Sequence, residues 1–408
     1  MSQSAPRPDG MLIVTLDRLP GWMLSASGCT WVGMPVLDSL AARGIVFDRV
    51  IAHSDDPHAV LAALWGGERA GSPRAGSPSD VPWPLFAAAG WSPTLITDDS
   101  ALADAAASVA AVHHVPALAA TQPCATEAET NLGRLFSAAA QTVATGGHRL
   151  VWCHATSLGV AWDAPPRFRD HYADPDDPPP PATAAVPTIA VAADTDPDLV
   201  VGIRQVMAGQ LTLFDACLGH LLEAVAGRPG QWTVLVAGVR GIGLGLHGRI
   251  GCGPLPPYSE LVHLPAIFVD HSGRMAAQRY GGLILPADLG ATLASLAGIA
   301  PSSDNAPRHG RDLTSLLDNW QLKERDRVIC HGSAGRGVAT PAWHLVLPEH
   351  TGAEPPRPRL FAKPDDAFEL NDVADRCPAV TEELAALTGA DPSQAWTVPL
   401  SNAARNGV

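Results

Sequence analysis

Two uninterrupted apolar runs stand out along the chain. Met11-Leu12-Ile13-Val14-Thr15-Leu16 ends on Asp17, and Trp232-Thr233-Val234-Leu235-Val236-Ala237 leads into a glycine-rich stretch, Gly238 to Gly248. Such runs, rich in Ile, Val and Leu and without polar alternation, predict strands covered on both faces, as at the centre of a parallel sheet. Further strands are expected at 45–52, 94–97, 150–154 and 264–269. Helical spacing fills the intervals. Pro35 opens and Gly44 closes a segment with Val36, Leu37, Leu40 and Ala41 at helical positions. Ala59–Trp65 predicts a short helix; if it begins near Pro57, Asp55 or Asp56 is a natural N-cap. An alanine-rich helix is expected over 100–112, a longer one over 126–145 and another over 287–298. The clearest spans 197–226, with Ile203, Val206, Leu211, Phe214, Leu218 and Leu221 in one stripe.

The punctuation between these elements is equally informative. Residues 66–84 are rich in Gly, Ser and Pro, with Ala-Gly-Ser-Pro occurring twice, and read as a surface loop. Residues 163–198 carry four consecutive prolines, Pro178 to Pro181, and read as a long extended excursion. The Gly-x-Gly pattern after Ala237 does not predict a dinucleotide site: glycine persists where a phosphate-binding helix should start, and no acidic residue follows at the end of a second strand. The alternation of strands and helices predicts an α/β core over 9–320. Short strands at 327–331, 343–347 and 359–362, with a closing helix at 378–388, predict a small C-terminal α+β subdomain over 321–400.

Composition narrows the function. The chain is 46% hydrophobic and carries 41 acidic against 27 basic residues, a net charge of −14. That balance excludes a protein that mainly binds nucleic acid or anionic lipid. No run approaches the length of a membrane span, and Met1 to Asp9 contains no apolar signal region. Seven scattered cysteines without Cys-x-x-Cys spacing favour buried thiols in a reducing compartment, so a cytoplasmic protein is expected. Asp17 draws attention chemically, because open α/β sheets bind ligands beyond the carboxyl ends of their strands. The competing reading is a strand-end Asp that caps the next turn. His113-His114 and the aspartates at 174–177 read as solvated, those at 194–198 as helix-capping.

Leu12–Asp17, with Met34–Ala41 and Gly44–Asp48, resembles the first strand, helix and second strand of the sulfatase family of the alkaline phosphatase superfamily. Trp232–Ala237 with Leu244-Gly245-Leu246-His247-Gly248 is similar to its second metal-site segment, and Pro364–Asp372 to its C-terminal segment. Trp162-Asp163-Ala164-Pro165 with Phe168 and Tyr172 is similar to its substrate-side loop. The likeness spans approximately 11–375 and implies an alkaline-phosphatase-like core, a central mostly parallel sheet flanked by helices.

It also implies a calcium or magnesium ion on oxygen ligands and an aldehyde-hydrate nucleophile made from Cys or Ser. The residues depart from that pattern. Asp17 stands at the first metal carboxylate, but Arg18 replaces the adjacent Asp. The nucleophile position falls on Asp56, with His58 at the family's proline and Val60 at its arginine, or one residue earlier on Asp55. In the second metal segment Val239 and Arg240 replace the ligands. His247 survives, the following lysine becomes Cys252 or a neighbouring glycine, and His154 lacks its companion histidine.

Two readings follow. In the first, a sulfatase-like scaffold has lost metal-dependent ester hydrolysis, needs no cofactor, and binds a small anion, a sulfated sugar or a protein. Asp56 and His247 are then vestigial catalytic positions and Asp17 the only retained metal-ligand position. Arg18, Arg240 and Arg249 form an anion site through bidentate guanidinium groups, or else pair with Asp17 and Asp56. In the second, an active sulfate or phosphate ester hydrolase has a rebuilt site. Asp17, Asp56, His58 and His247 hold the cation, and Asp55 serves as base.

Overall fold

The computed structural model describes residues 7–66, 83–147, 149–174, 176–299, 310–319, 322, 324–349, 357–389 and 398–407. Most of the expected Gly/Ser/Pro loop, 67–82, lies outside the described residues. The core strands are β1 (Gly10–Asp17), β2 (Ile45–Ile51), β3 (Pro93–Thr97), β4 (Ala111–His114), β5 (Leu150–Ala155), β6 (Thr188–Ala190), β7 (Trp232–Arg240), β8 (Gly243–Leu244), β9 (Arg249–Gly251), β10 (His263–Val269) and β11 (Gln278–Tyr280). Eight of them form one sheet in the order β11-β2-β10-β7-β1-β5-β3-β4, while β6, β9 and β8 make a three-stranded sheet. In the large sheet only β10 runs antiparallel to its neighbours, β2 and β7. The two most apolar runs are thus adjacent parallel strands at its centre.

Every residue of β1 is buried, and its alternation sends side chains into two cores. Met11 and Ile13 pack with Val60 and Leu64 of α2 (Pro57–Gly66, following α1, Pro35–Arg43) and with helix Pro286–Leu296. Leu12, Val14 and Leu16 pack with helix Asn131–Thr145 and with Met207, Leu211 and Phe214 of helix Pro197–Ala226. Under the first layer, Trp65, Trp83 and Trp152 form an aromatic cluster with ring centroids 4.7 to 5.5 Å apart.

Four strands, β12 (Val328–Gly332), β13 (Gly335–Ala339), β14 (Trp343–Pro348) and β15 (Arg359–Ala362), make a separate antiparallel sheet in that order, beside helix Pro378–Gly389. This agrees with an α/β core carrying a small α+β appendage. Several details differ from expectation. The alanine-rich helix stops at Ala106, and Ala111 and Val112, expected within it, instead form with His113 and His114 a strand that extends the sheet by pairing with β3. Strand pairing there overrides the local helix preference of alanine. The Pro-rich excursion is not wholly extended, for it contains helix Pro166–Asp170 before its extended part pairs as β6. The chain does not end its order at 388: helix Asn402–Asn406 buries Ala404, whose carbonyl accepts from Thr340 Oγ1 at 2.9 Å. Among the described residues no helix is long and apolar enough to cross a membrane.

Helix Pro286–Leu296 approaches α2 so closely that a Cβ on Gly290 would lie 1.4 Å from the Leu64 carbonyl oxygen. Gly290→Ala is therefore expected to cost about 3 kcal/mol, the upper part of the range for overpacking, as measured by urea unfolding. An unchanged midpoint would show that the two helices separate freely.

Candidate functional site

The centre of the site is a register shift. Along β1 and β7, Leu16 lies opposite Gly238 but Asp17 lies opposite Arg240, so Val239 is an extra residue on β7. Bulges of this kind re-aim side chains at strand ends. Here the effect is to set Arg240 against Asp17. Arg240 Nε donates to Asp17 Oδ1 at 3.0 Å and Nη2 to Oδ2 at 2.7 Å, a bidentate fork, while Nη1 donates to the Asp55 carbonyl at 3.2 Å. Asp17 is only 4% exposed, so both its oxygens are spent inside the protein. Burial works against the Arg240 charge, but Asp17 outweighs it and the guanidinium pKa is raised.

Arg18 adds a second cation. Its Nε lies 3.7 Å from Asp17 Oδ2, and its backbone sits in the left-handed region at φ 62°. For a residue with a Cβ that conformation costs about 1 kcal/mol or more. Its guanidinium passes over Gly159, where a Cβ would come within 2.5 Å of Nε. Cys252 lies beside this group; burial chiefly pushes its thiol pKa up, which leaves a poor nucleophile. Arg249, expected in the same cluster, lies along Gly253 and forms no ion pair with Asp17. The strand ends thus combine one buried carboxylate with two guanidinium groups.

The remaining predicted residues are held elsewhere. Asp55 Oδ2 accepts from the Ser333 amide at 2.8 Å and hydroxyl at 2.7 Å, tying the core to the β12–β13 turn. Asp56 pairs with neither arginine; it caps α2 by accepting from the His58 amide at 3.0 Å, with Pro57 at the first helical position. His58 Nε2 lies 2.8 Å from Asp99 Oδ2. That bond chiefly raises the His58 pKa, whereas Asp99, pushed up by burial, is brought down to about 2 by His58 and by the Leu102 amide. His154 is buried with Nδ1 2.8 Å from Thr15 Oγ1, which also accepts from Trp152 Nε1 at 2.7 Å.

His247 belongs to a different cluster. Its Nδ1 lies 2.8 Å from Glu260 Oε1, its Nε2 faces the Glu369 carbonyl at 3.3 Å, and its ring stacks on Tyr258 at 3.8 Å. Glu369 is buried at a positive φ of 58°. It accepts from the Ser259 amide at 2.8 Å, from Lys363 Nζ at 3.0 Å, and from Ser259 Oγ and His344 Nδ1. Burial would raise its pKa, but His344 and Lys363 hold it far below the usual carboxylate range. A cavity of about 350 Å³ opens here, lined by Trp22, Trp31, Asp48, His247, Arg279 and Phe368. Asp17 and Arg240 do not line it. Sequence reading assigned no role to Glu260, Glu369, Lys363 and Asp99, whose partners lie as far as 110 positions away.

The donor set does not fit a hard divalent cation. Both Asp17 oxygens serve Arg240, Asp56 caps a helix, and His58 and His247 serve Asp99 and Glu260, so the four proposed ligands of a rebuilt site are not brought together. Among the described residues no three His, Cys, Asp or Glu side chains are placed to hold a metal ion.

No protein-family model matches the sequence, and no curated protein matches it. Solved structures do match in shape. Phosphonate monoester hydrolase of Agrobacterium radiobacter is similar with a TM-score of 0.74 at 16% identity, over 95% of this chain and 96% of the other. A 2-O GAG sulfatase gives 0.65 at 17%, over 98% and 96%. A protein solved with its substrate D-glucosamine-2-N,6-O-disulfate gives 0.68 at 14%, over 95% and 97%. The chain therefore has the fold shared by sulfatases and phosphonate monoester hydrolases.

Removing Arg240 leaves Asp17 buried beside Arg18 alone. Arg240→Ala is expected to cost about 3 kcal/mol, the lower end for a broken buried pair, whereas Asp17→Asn combined with Arg240→Met should cost much less; denaturant unfolding of both variants beside the natural protein decides. For His58 the raised pKa supplies stability present below 6.5 and lost as pH rises through its folded value. For Asp99 the depressed pKa supplies stability present above 3.8 and lost as pH falls towards about 2. The stability gap between the natural protein and Asp99→Asn should therefore be widest between pH 3.8 and 6.5. A gap that is flat with pH would contradict the pairing.

Proposed function

We propose that this chain is a binding protein built on a hydrolase fold, in which a guanidinium group replaces the catalytic cation. The observation that carries this reading is the Arg240 fork on Asp17, at 3.0 and 2.7 Å. A metal at Asp17 would need oxygen lone pairs at roughly 2.0 to 2.6 Å, and those lone pairs already accept hydrogen bonds. It would also have to settle beside two guanidinium charges. The position aligned with the nucleophile supports the same reading, because Asp56 is neither Cys nor Ser and its side chain caps α2.

The ligand would be of the kind the fold handles elsewhere. One structure of similar shape was solved with a disulfated glucosamine as its substrate. A sulfated sugar, bound without being cleaved, is the first class to test here, ahead of a small free anion or a protein. The seven free cysteines favour a reducing compartment, and we place the protein in the cytoplasm on that ground.

The purified protein, assayed with aryl sulfate, aryl phosphate and aryl phosphonate monoesters in calcium, magnesium, manganese or zinc, is expected to match the buffer rate. Turnover that disappears in Asp17→Asn would refute the proposal.

A further inference from the structure

A second cavity, of about 510 Å³, lies between β2 and the small sheet, lined by Asp48, Arg49, Ser259, Gly281, His344 and Lys363 among others. Its volume is that of a small-molecule site. The charges around it do not balance. Asp48 pairs with Arg279, and Glu369 behind the wall pairs with Lys363 at 3.0 Å. Arg49 has no carboxylate partner among the described residues. Its Nη1 and Nη2 donate only to the Pro341 and Thr340 carbonyls, at 2.7 and 2.6 Å, which ties β2 to the turn between β13 and β14.

That tie explains two of the five N–H groups a guanidinium carries, but not the charge. A backbone carbonyl offers a dipole and no counter-ion, and a half-buried cation without one remains a standing cost. Burial alone lowers the Arg49 pKa, as expected where nothing anionic offsets it. Arg49, a cation without a carboxylate partner among the described residues, therefore lines a cavity distinct from the Asp17 site.

We infer that this cavity binds a small organic molecule through an oxyanionic group, a carboxylate or a phosphate or sulfate monoester, with Arg49 as its counter-charge. Gly281 gives an internal control. It lines the cavity, its backbone is not left-handed, and a Cβ there meets nothing within 4 Å. In Gly281→Asp a tethered carboxylate would take the ligand's place.

Thermal unfolding of the full chain, titrated with acetate, inorganic phosphate and chloride at constant ionic strength, tests the inference. Acetate or phosphate should raise Tm saturably and chloride should not, and the stronger of the two identifies the head group. The non-saturating stabilisation that phosphate gives by exclusion from the surface is recognised by its survival in both cavity variants. Arg49→Met should weaken the apparent affinity about tenfold or more, and Gly281→Asp should raise the ligand-free Tm while abolishing the response. If Arg49→Met fails to fold, Gly281→Asp decides. No saturable response in the natural protein, or one that survives in Gly281→Asp, would overturn the inference. Neither result bears on ester hydrolysis at Asp17.

Discussion

A carboxylate buried at the tip of a fully enclosed strand must be balanced, and the nature of its counter-charge governs the rest of this site. Taking an isolated carboxylate out of water costs several kcal/mol even after relaxation. On β1 every side chain is covered, so Asp17 reaches solvent only through its neighbours. The extra residue Val239 in β7 brings Arg240 opposite it, and the planar guanidinium matches the two carboxylate oxygens with two parallel N–H donors. Arg18, held in a left-handed backbone conformation, completes the local neutralisation and leaves one positive charge over.

The same economy runs through the surrounding residues. Side chains that could serve as acid, base or ligand are each committed to a near partner: His58 to Asp99, Asp56 to a helix terminus, Asp55 to Ser333, His247 to Glu260. Several of these contacts join pieces of architecture. Asp55 fastens the strand ends to the small sheet, and Glu369 gathers Ser259, His344 and Lys363 at the seam between the two sheets. The polar network thus holds the appendage on the core, with the two cavities of about 350 and 510 Å³ along that seam.

Much of the framework was legible in the sequence because it rests on periodicity. The central strands, the 30-residue helix Pro197–Ala226 and the location of Asp17 and Arg240 beyond two apolar runs follow from hydrophobic pattern alone. So does a cap at Asp55 or Asp56, since Pro57 marks the first helical turn, and the fold uses Asp56. What escaped depends on contacts that no local window contains. A one-residue shift between β1 and β7 leaves no trace in either strand, yet it decides that Arg240 meets Asp17 rather than solvent. Ala111–His114 is a strand only because β3 offers it an edge. Glu369 stands in the segment Pro364–Asp372, where the sequence assigns it no role, and its burial follows from the fold of the small sheet around it.

The central claim is that a guanidinium, and not a metal ion, satisfies Asp17. Calorimetric titration of the metal-stripped protein with calcium and with magnesium tests it most directly. The account predicts no saturable heat with either ion for the natural protein. One-to-one binding that is lost in Asp17→Asn would contradict it.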